Sequence, residues 1–308
     1  MVEPTEVERL RGMPGHLRAR IRGQDHVLSR VCGVFQRGEL GLADPARPRG
    51  SLLLAGPTGT GKTETFSCAT EYVFGPGHLV TFDMSEYADD SALGKLLGNG
   101  RTDPGLLGHA LANLNRGAVL FDELEKAHQR LWDVFLQILW PGRVTLATGQ
   151  VIDFSRHYIG FTSNVGGAEA IRMECSCPAS VEQMVLRRLG QAFRPEFLGR
   201  LDERLVFSQL SHEVQREICG LEVTRESSRL RRLGYDLEIT REVLEWLTRE
   251  GYHRQLGARP MRKAVEQHLQ QAVVCSLFAT GLASGRVRVK ADRGGLVVLP
   301  RESYRVSQ

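Results

Sequence analysis

Short apolar runs alternate with longer, helix-like segments over the first two thirds of the chain. Each run has the length of a buried strand, and the segments between the runs place apolar residues at helical spacing. The pattern therefore predicts an α/β domain with a mostly parallel sheet, because parallel strands need long, usually helical connections. The strands are expected near 51–55, 79–82, 118–121, 157–162 and 204–207.

Beyond the fifth run the pattern becomes helical. A first helix is expected from its N-cap, Ser211, to Gly234, and two more are expected over 239–251 and 260–281. The segments RVRVKA and GLVVLP follow and predict a short β pair. The chain should thus contain a helix-containing leading segment, a large α/β domain and a small, mostly helical domain, over 1–19, 20–208 and 209–308.

Composition adds the class of protein. The 308 residues are 42% hydrophobic and 25% charged, with a net charge of +4, which is ordinary for a soluble globular chain. No apolar run approaches the roughly 18 residues of a membrane span, and the N-terminus lacks the apolar segment of a signal peptide. Both observations argue against a membrane protein, and the scattered cysteines favour the cytoplasm because they indicate reduced thiols.

Cysteines and basic patches exclude two further classes. The six cysteines are scattered, which indicates reduced thiols, and the close pair Cys175 and Cys177 lacks partners at metal-ligand spacing. Zinc is therefore not expected. The Arg-rich stretches at 229–234 and 259–263 have helix-forming, partly apolar neighbours, which favours solvated helix faces over a nucleic-acid surface.

The strongest chemical signal is the stretch GPTGTGKT, directly after the first apolar run. It matches the phosphate-binding pattern G-x-x-x-x-G-K-[ST] between a predicted strand and a predicted helix. Its glycines let backbone N–H groups turn inward around phosphate oxygens, and the helix N-terminus adds its positive dipole end. Lys62 should reach the β- and γ-phosphates of ATP, and the Thr63 hydroxyl should ligate Mg²⁺. The predicted ATP-binding residues here are Gly56, Pro57, Thr58, Gly59, Thr60, Gly61, Lys62, Thr63 and Glu64.

A second, acidic site follows in GAVLFDELEKAH. Asp122 and Glu123 end an apolar run, at the carboxyl end of a predicted strand, where open α/β sheets bind their ligands. Asp122 is expected to join Thr63 in the Mg²⁺ shell, and Glu123 to polarise the attacking water as general base. Glu125 and His128 are expected at the solvated start of the next helix.

A polar amide ends another predicted strand. Asn164 follows HYIGFTS and could sense the γ-phosphate and orient the water, if the strand lies beside the phosphate loop. It could equally be an ordinary asparagine that caps a turn. Spacing along the chain leaves both alternatives open.

Six motifs follow one another along the chain: GPTGTGKT (56–63), TFDMSEY (81–87), FDELEKAH (121–128), TSN (162–164), FRPEFLGRLDE (193–203) and GARPMRKAVEQ (257–267). Together with the earlier stretch RIRGQDHV they resemble the second ATPase module of the Clp-type AAA+ unfoldases and disaggregases. The resemblance covers essentially the whole chain. It implies a P-loop NTPase fold of the AAA+ type, with a large αβ domain followed by a small helical lid domain.

The resemblance also implies roles for residues outside the phosphate loop. Ile21 and Arg22 would flank the adenine, although the family usually has two aliphatic residues there. Asn164 would be the first sensor, and Arg259 the second, carried by the lid domain. Arginine suits these roles, because its guanidinium is always positively charged and carries only hydrogen-bond donors. A transferring phosphoryl group spreads its negative charge over its oxygens, which accept such hydrogen bonds.

Arg200 would be the arginine finger, although the family usually has Asn where this chain has Gly199. Without the motifs, a surface salt bridge would be the preferred interpretation of Arg200 and of Arg259. A finger that reaches a neighbouring subunit's γ-phosphate needs a ring, so the resemblance implies a homo-hexamer. It also implies a protein substrate, and an adaptor could recruit it.

The chain departs from the family at two functional loops. Clp rings grip polypeptides with an aromatic pore loop, whereas residues 99–116 here contain no Tyr, Phe or Trp. Leu106 and Leu107 could form a weaker apolar grip or simply a turn that leads into a helix, which we favour. The peptidase-docking tripeptide I-G-F occurs only at 159–161, inside a predicted strand, which argues against a barrel-shaped peptidase partner.

Three functions are compatible with these features. The favoured one is an ATP-hydrolysing, chaperone-like ATPase that unfolds or disassembles proteins as a ring. The alternative is a nucleotide-dependent switch or assembly scaffold that threads no polypeptide. A nucleic-acid motor is the weakest hypothesis, because no aromatic and basic strand or added recognition helix supports it.

Overall fold

A computed structural model gives the fold of residues 4–173, 177–253, 256–280, 285–292 and 295–300. The chain forms two compact units, Met1–Gln209 and Leu210–Gln308. Cys175, one member of the close cysteine pair, lies outside the described residues. Of the helices that the structure describes, none combines the length and the apolar character that crossing a membrane requires.

Five parallel strands form the central sheet in the described part of the first unit, in the order β2-β3-β6-β1-β7. All five strands predicted from apolar runs are present, and all neighbouring pairs are parallel, as expected. Two short strands, β4 and β5, form an antiparallel hairpin outside this sheet. The strands are β1 Gly50–Ala55, β2 Leu79–Asp83, β3 Gly117–Asp122, β4 Arg143–Thr145, β5 Val151–Asp153, β6 His157–Ser163 and β7 Glu203–Val206.

Helices cover both faces of this sheet, so the central strands β1, β3 and β6 are almost entirely buried. Successive residues of a strand point to opposite faces, and β1 shows this directly. Leu52 and Leu54 belong to one hydrophobic core, and Leu53 and Ala55 to another. The helices are α1 Pro4–Arg20, α2 Asp25–Glu39, α3 Lys62–Phe74, α4 Ala92–Leu97, α5 Gly105–Leu111, α6 Trp132–Leu139, α7 Gly167–Arg172, α8 Pro178–Ala192 and α9 Pro195–Arg200.

The second unit is mostly helical in its described residues. Its elements are α10 His212–Arg232, β8 Tyr235–Ile239, α11 Arg241–Gly251, α12 Arg259–Thr280, β9 Gly285–Asp292 and β10 Gly295–Pro300. Ser211 is the N-cap of α10, as predicted, because its Oγ accepts a hydrogen bond from the backbone N–H of Val214 at 3.3 Å. The predicted β9–β10 pair is antiparallel. A third strand, β8, pairs with β9 in parallel. The helical pattern of the sequence did not reveal β8.

The two departures from the family motifs have clear local structures. Gly105 begins α5, in which the side chain of Leu107 is fully buried and that of Leu106 is 50% exposed. The leucine pair is therefore the start of a helix, the alternative that the sequence favoured. Ile159 and Phe161 are fully buried within β6, as predicted for the tripeptide I-G-F.

Candidate nucleotide-binding site

The phosphate loop connects β1 to α3 and contains two glycines whose backbone conformations favour glycine. Gly56 has a φ of +133°, and a Cβ atom built there would lie 2.6 Å from the carbonyl oxygen of Phe207. Gly61 is the N-cap of α3 and has a φ of +97°, in the left-handed region that favours glycine. The loop therefore has the tight backbone path that phosphate binding requires, and α3 begins at Lys62.

The ammonium of Lys62 is folded into this loop. It is 7% exposed and donates hydrogen bonds to the carbonyl oxygens of Gly56 (2.8 Å) and Pro57 (2.7 Å). Its third partner is Oδ1 of Asn164, at 3.0 Å. Three acceptors satisfy the three donors of the ammonium, which limits the cost of burying its charge.

Burial nevertheless perturbs the lysine. Removal from water lowers the pKa of Lys62 to about 8, and the nearby carboxylates of Glu125, Asp122 and Glu123 oppose this shift without cancelling it. A basic group poised near neutral pH in a glycine-lined loop is a feature of functional sites more than of structural ones.

The sheet order brings Asn164 between the phosphate loop and the acidic pair. β6 lies between β1 and β3, and Ala55 of β1 is aligned with Ser163 of β6. Gly56 and Asn164 therefore leave the sheet side by side, and Oδ1 of Asn164 also accepts from Oγ1 of Thr58 at 3.3 Å. This position favours the sensor interpretation of Asn164 over an ordinary turn cap.

Two oxygen groups are suitably placed for Mg²⁺. Oγ1 of Thr63 donates to Oδ1 of Asp122 at 3.2 Å, and Oγ1 of Thr162 donates to the same carboxylate oxygen. A hydroxyl and a carboxylate at adjacent positions are hard ligands that Mg²⁺ accepts together with phosphate oxygens and water. The residues present therefore fit the ion that the motifs imply.

Thr162 connects this pair to Glu123, a contact that the sequence did not reveal. Its Oγ1 accepts from the backbone N–H of Glu123 at 3.0 Å. Glu123 has a φ of +56°, the only positive value of a non-glycine residue in the described chain. This conformation costs about 1 kcal/mol for an L-residue, and such strain occurs preferentially at functional sites.

The sequence predicted that Glu125 lies at the solvated start of the next helix, and this prediction is wrong. Glu125 lies in a short 3₁₀ turn, Leu124–Lys126, that follows β3 directly. Its Oε1 accepts from the backbone N–H (3.1 Å) and from Nδ2 (3.2 Å) of Asn164. Helical spacing concealed this contact because one tight turn redirects the side chain toward β6. His128 caps the next turn, Gln129–Leu131, ahead of α6.

Gln24 is a second residue that sequence reasoning missed. Its side chain is fully buried, and its Nε2 donates to the carbonyl oxygens of Thr60 (3.3 Å) and Ser208 (2.9 Å). Its Oε1 accepts from the backbone N–H of Ser208 at 3.0 Å. The side chain thus ties the phosphate loop to the segment that follows β7. In the sequence, Gln24 is only a polar residue between two helices, and this pattern does not indicate a buried side chain.

The predicted adenine-flanking pair lies at the C-terminal end of α1. Ile21 is buried, and its Cγ2 lies 4.0 Å from the point where a Cβ on Gly61 would sit, so it borders the phosphate loop. Arg22 is half-buried. Glu64, the last residue of the predicted loop set, is exposed and pairs with Arg20 at 3.5 Å.

The two predicted arginines occupy other places. Nη1 of Arg200 donates to the carbonyl oxygens of Leu136 (2.5 Å) and Trp140 (2.9 Å), at the C-terminal end of α6. Among the described residues, the hydrogen bonds of its guanidinium therefore go to the end of α6 and not to the phosphate loop. Arg259 is the first residue of α12, in the second unit. Its role toward the nucleotide stays a prediction.

Comparisons with known proteins identify the family of the chain. The family model described as "AAA domain (Cdc48 subfamily)" matches residues 47–204, and that of the "C-terminal, D2-small domain, of ClpB protein" matches 210–289. Chaperone protein ClpB 1 of Parasynechococcus marenigrum is 35% identical over 301 residues, 94% of this chain and 34% of the relative.

Two further relatives are about equally similar to this chain. A ClpA homolog of Porphyra purpurea, named as an ATP-binding subunit of the ATP-dependent Clp protease, is 36% identical over 91% of this chain and 36% of its own length. The chloroplastic chaperone protein ClpC3 of Oryza sativa is 35% identical over 96% of this chain and 34% of its own length. The chain thus spans about a third of the length of the curated relatives that it matches. On both family models and the observed fold, it belongs to the AAA+ ATPases as a Clp-type module.

Proposed function

We propose that this protein binds ATP with Mg²⁺, hydrolyses it, and uses the cycle to remodel other proteins as a ring oligomer. One observation carries the hydrolytic part of the proposal. Lys62 lies in the loop and helix that follow β1, Asp122 and Glu123 lie at the end of β3, and Asn164 follows β6. Hydrogen bonds nevertheless connect these residues, directly or through Thr162. A structural ion cluster would not require the strained backbone of Glu123 beside a phosphate loop.

Each side chain then has a chemical task. Lys62 leaves the loop carbonyls for the phosphate oxygens and neutralises their charge. Glu123 accepts the proton of the attacking water, and Asn164 orients that water against the γ-phosphate. Thr63 and Asp122 would hold Mg²⁺, which would supply charge stabilisation to the phosphates when bound. Ile21 and Arg22 contact the adenine.

The oligomer is proposed on the basis of Arg200. A guanidinium that reaches a neighbour's γ-phosphate makes hydrolysis depend on assembly, and a homo-hexamer satisfies this requirement with identical contacts. Arg259 would act as the second sensor of the bound nucleotide, carried by the lid domain. We propose that the protein is cytoplasmic and acts on protein substrates, which an adaptor could recruit. A barrel-shaped peptidase is not among the proposed partners, because the docking tripeptide at 159–161 is buried.

A specific observation favours a second candidate function, a nucleotide-dependent switch that threads no polypeptide. The region that should carry the aromatic pore loop contains no aromatic residue and forms α5, where Leu107 is buried and Leu106 is half exposed. A single leucine offers far less area to an incoming chain than the paired aromatic rings of a threading loop.

The two functions can be separated with the purified protein. We expect Glu123→Gln to retain ATP binding and lose turnover by at least about a hundredfold, because the water loses its base. Normal turnover in this variant would remove Glu123 from its role. With wild type, a fluorescent tagged substrate should lose its signal when ATP is added. An unchanged signal beside robust hydrolysis, with candidate adaptors supplied, would favour the switch.

A further inference from the structure

The residue that the sequence placed wrongly, Glu125, has an unusual relation to Asn164. A single carboxylate oxygen, Oε1 of Glu125, accepts from both the main-chain N–H and the side-chain amide of Asn164, at 3.1 and 3.2 Å. Two hydrogen bonds to one oxygen restrict the backbone and the amide group of the same residue together. The loop after β6 and the loop after β3 are joined at this point.

The chemistry of the neighbours determines how the amide of Asn164 is turned. Lys62 and Thr58 donate to Oδ1, at 3.0 and 3.3 Å. Glu125 and Glu123 accept from Nδ2, at 3.2 and 3.4 Å. An ammonium has only donors and an ionised carboxylate only acceptors, so the opposite orientation would set donor against donor and acceptor against acceptor.

The amide nitrogen carries two hydrogens, and Glu125 takes one of them. The second is therefore aimed at Oε1 of Glu123, the carboxylate that should polarise the attacking water. Without Glu125, the amide nitrogen of Asn164 would keep only its 3.4 Å contact with Oε1 of Glu123, and the backbone N–H of Asn164 would lose its acceptor. The remaining contacts would then hold the nitrogen on the side of the water less firmly. A sensor amide that is held loosely reports the γ-phosphate poorly.

We propose that Glu125 is a positioning residue that holds the amide of Asn164 in the orientation needed for γ-phosphate recognition and water alignment. The inference rests on the proposed ATPase function. Glu125 acts through its acceptor oxygen and not as a base. Its other oxygen, Oε2, is buried and has no hydrogen-bond partner among the described residues.

Steady-state hydrolysis distinguishes positioning from a general structural role. We expect Glu125→Ala to lower kcat about tenfold to a hundredfold and to change KM for ATP less than about threefold. Glu125→Gln keeps an acceptor oxygen of the same reach, so its kcat should stay within about threefold of wild type. Glu8→Ala, an exposed glutamate on α1, is the matched control and should behave as wild type.

A double-mutant cycle tests whether Glu125 acts through Asn164. If it does, Glu125→Ala should add little to the loss caused by Asn164→Ala, because the residue it positions is already gone. Multiplicative losses in the double variant would overturn the proposal. So would a Glu125→Gln variant as impaired as Glu125→Ala, because the negative charge and not the acceptor would then matter.

A binding measurement keeps the proposal testable if activity is lost for other reasons. The dissociation constants of fluorescent ADP and ATP are measured with Glu123→Gln alone and with Glu123→Gln plus Glu125→Ala. Glu125→Ala should reduce the preference for ATP over ADP about tenfold and change the affinity for ADP less than about threefold. Equal losses for both nucleotides would indicate mere misfolding and contradict the positioning role. If wild type shows no turnover at all, the proposed function fails. If wild type is active and these ratios do not move, only the role of Glu125 fails.

Discussion

The buried ammonium of Lys62 makes nucleotide affinity depend on pH in a direction that can be worked out. In the free protein, burial lowers the pKa of Lys62 from 10.5 to about 8. Bound phosphates attract the ammonium form and return the pKa to its ordinary value or above. At pH 7 and below, the lysine is charged almost completely with and without nucleotide, so binding moves almost no proton. Above pH 8 the free protein has lost the proton, and binding must take it up.

The size of the effect follows from these two pKa values. The dissociation constant should rise by about twofold at pH 8 and about elevenfold at pH 9, relative to its value at low pH. At pH 9 about 0.9 proton should be taken up for each nucleotide bound, against less than 0.1 at pH 7. The affinity therefore falls by a factor that approaches ten for each pH unit above 8.

Isothermal titration with ADP in two buffers of different ionisation enthalpy measures both quantities. Lys62→Arg is the control, because a guanidinium keeps its charge throughout this range and should remove the pH dependence. A dissociation constant that stays constant from pH 7 to 9.5, with no proton uptake, would refute the reasoning.

The same pKa shift has the opposite consequence for stability without nucleotide. Between about pH 8 and 10.5 the unfolded chain keeps the proton of Lys62 and the folded chain does not. The contribution of this group to the free energy of unfolding therefore rises with pH across this interval. Urea unfolding of the free protein at pH 8 and pH 10 should show this contribution as a difference between wild type and Lys62→Met.

Two further predictions concern residues at the edges of the site. Gln24→Leu should lower the free energy of unfolding by about 2–4 kcal/mol in urea titrations, because buried backbone groups of Thr60 and Ser208 would lose their hydrogen-bond partner. A loss below about 0.5 kcal/mol would show that water replaces the side chain. Arg200→Ala should abolish hydrolysis while nucleotide affinity changes less than about threefold, and mixing it with Glu123→Gln subunits should partly restore activity. If no mixing ratio restores activity, Arg200 does not act on a neighbouring subunit.

Local pattern was sufficient for the parts of the fold and site that are contiguous along the chain. The five apolar runs predicted the five strands of the central sheet, because a strand buried on both faces must be apolar throughout. The phosphate loop could be read directly, since its backbone donors, its lysine and its threonine lie within eight residues. Ser211 also followed from sequence, because an N-cap acts on the next turn alone.

Contacts between distant segments could not be predicted in this way. β8 was missed because its five residues join two helical patterns and pair with a strand far along the chain. Glu125 was placed wrongly, because helical spacing after β3 gave no sign of the 3₁₀ turn that directs it to Asn164. Gln24 reaches Ser208 across 184 positions, and no local pattern encodes that distance.

The sequence by itself determined the class of fold, the family, and the residues that could meet a triphosphate, because each depends on short stretches with their own physical requirements. Only the tertiary structure decided that β6 lies between β1 and β3. That order places Asn164 against Lys62 on one side and against Glu123 and Glu125 on the other. The reason is that strand order results from packing helices on both faces of the sheet, a property of the whole chain and not of any segment.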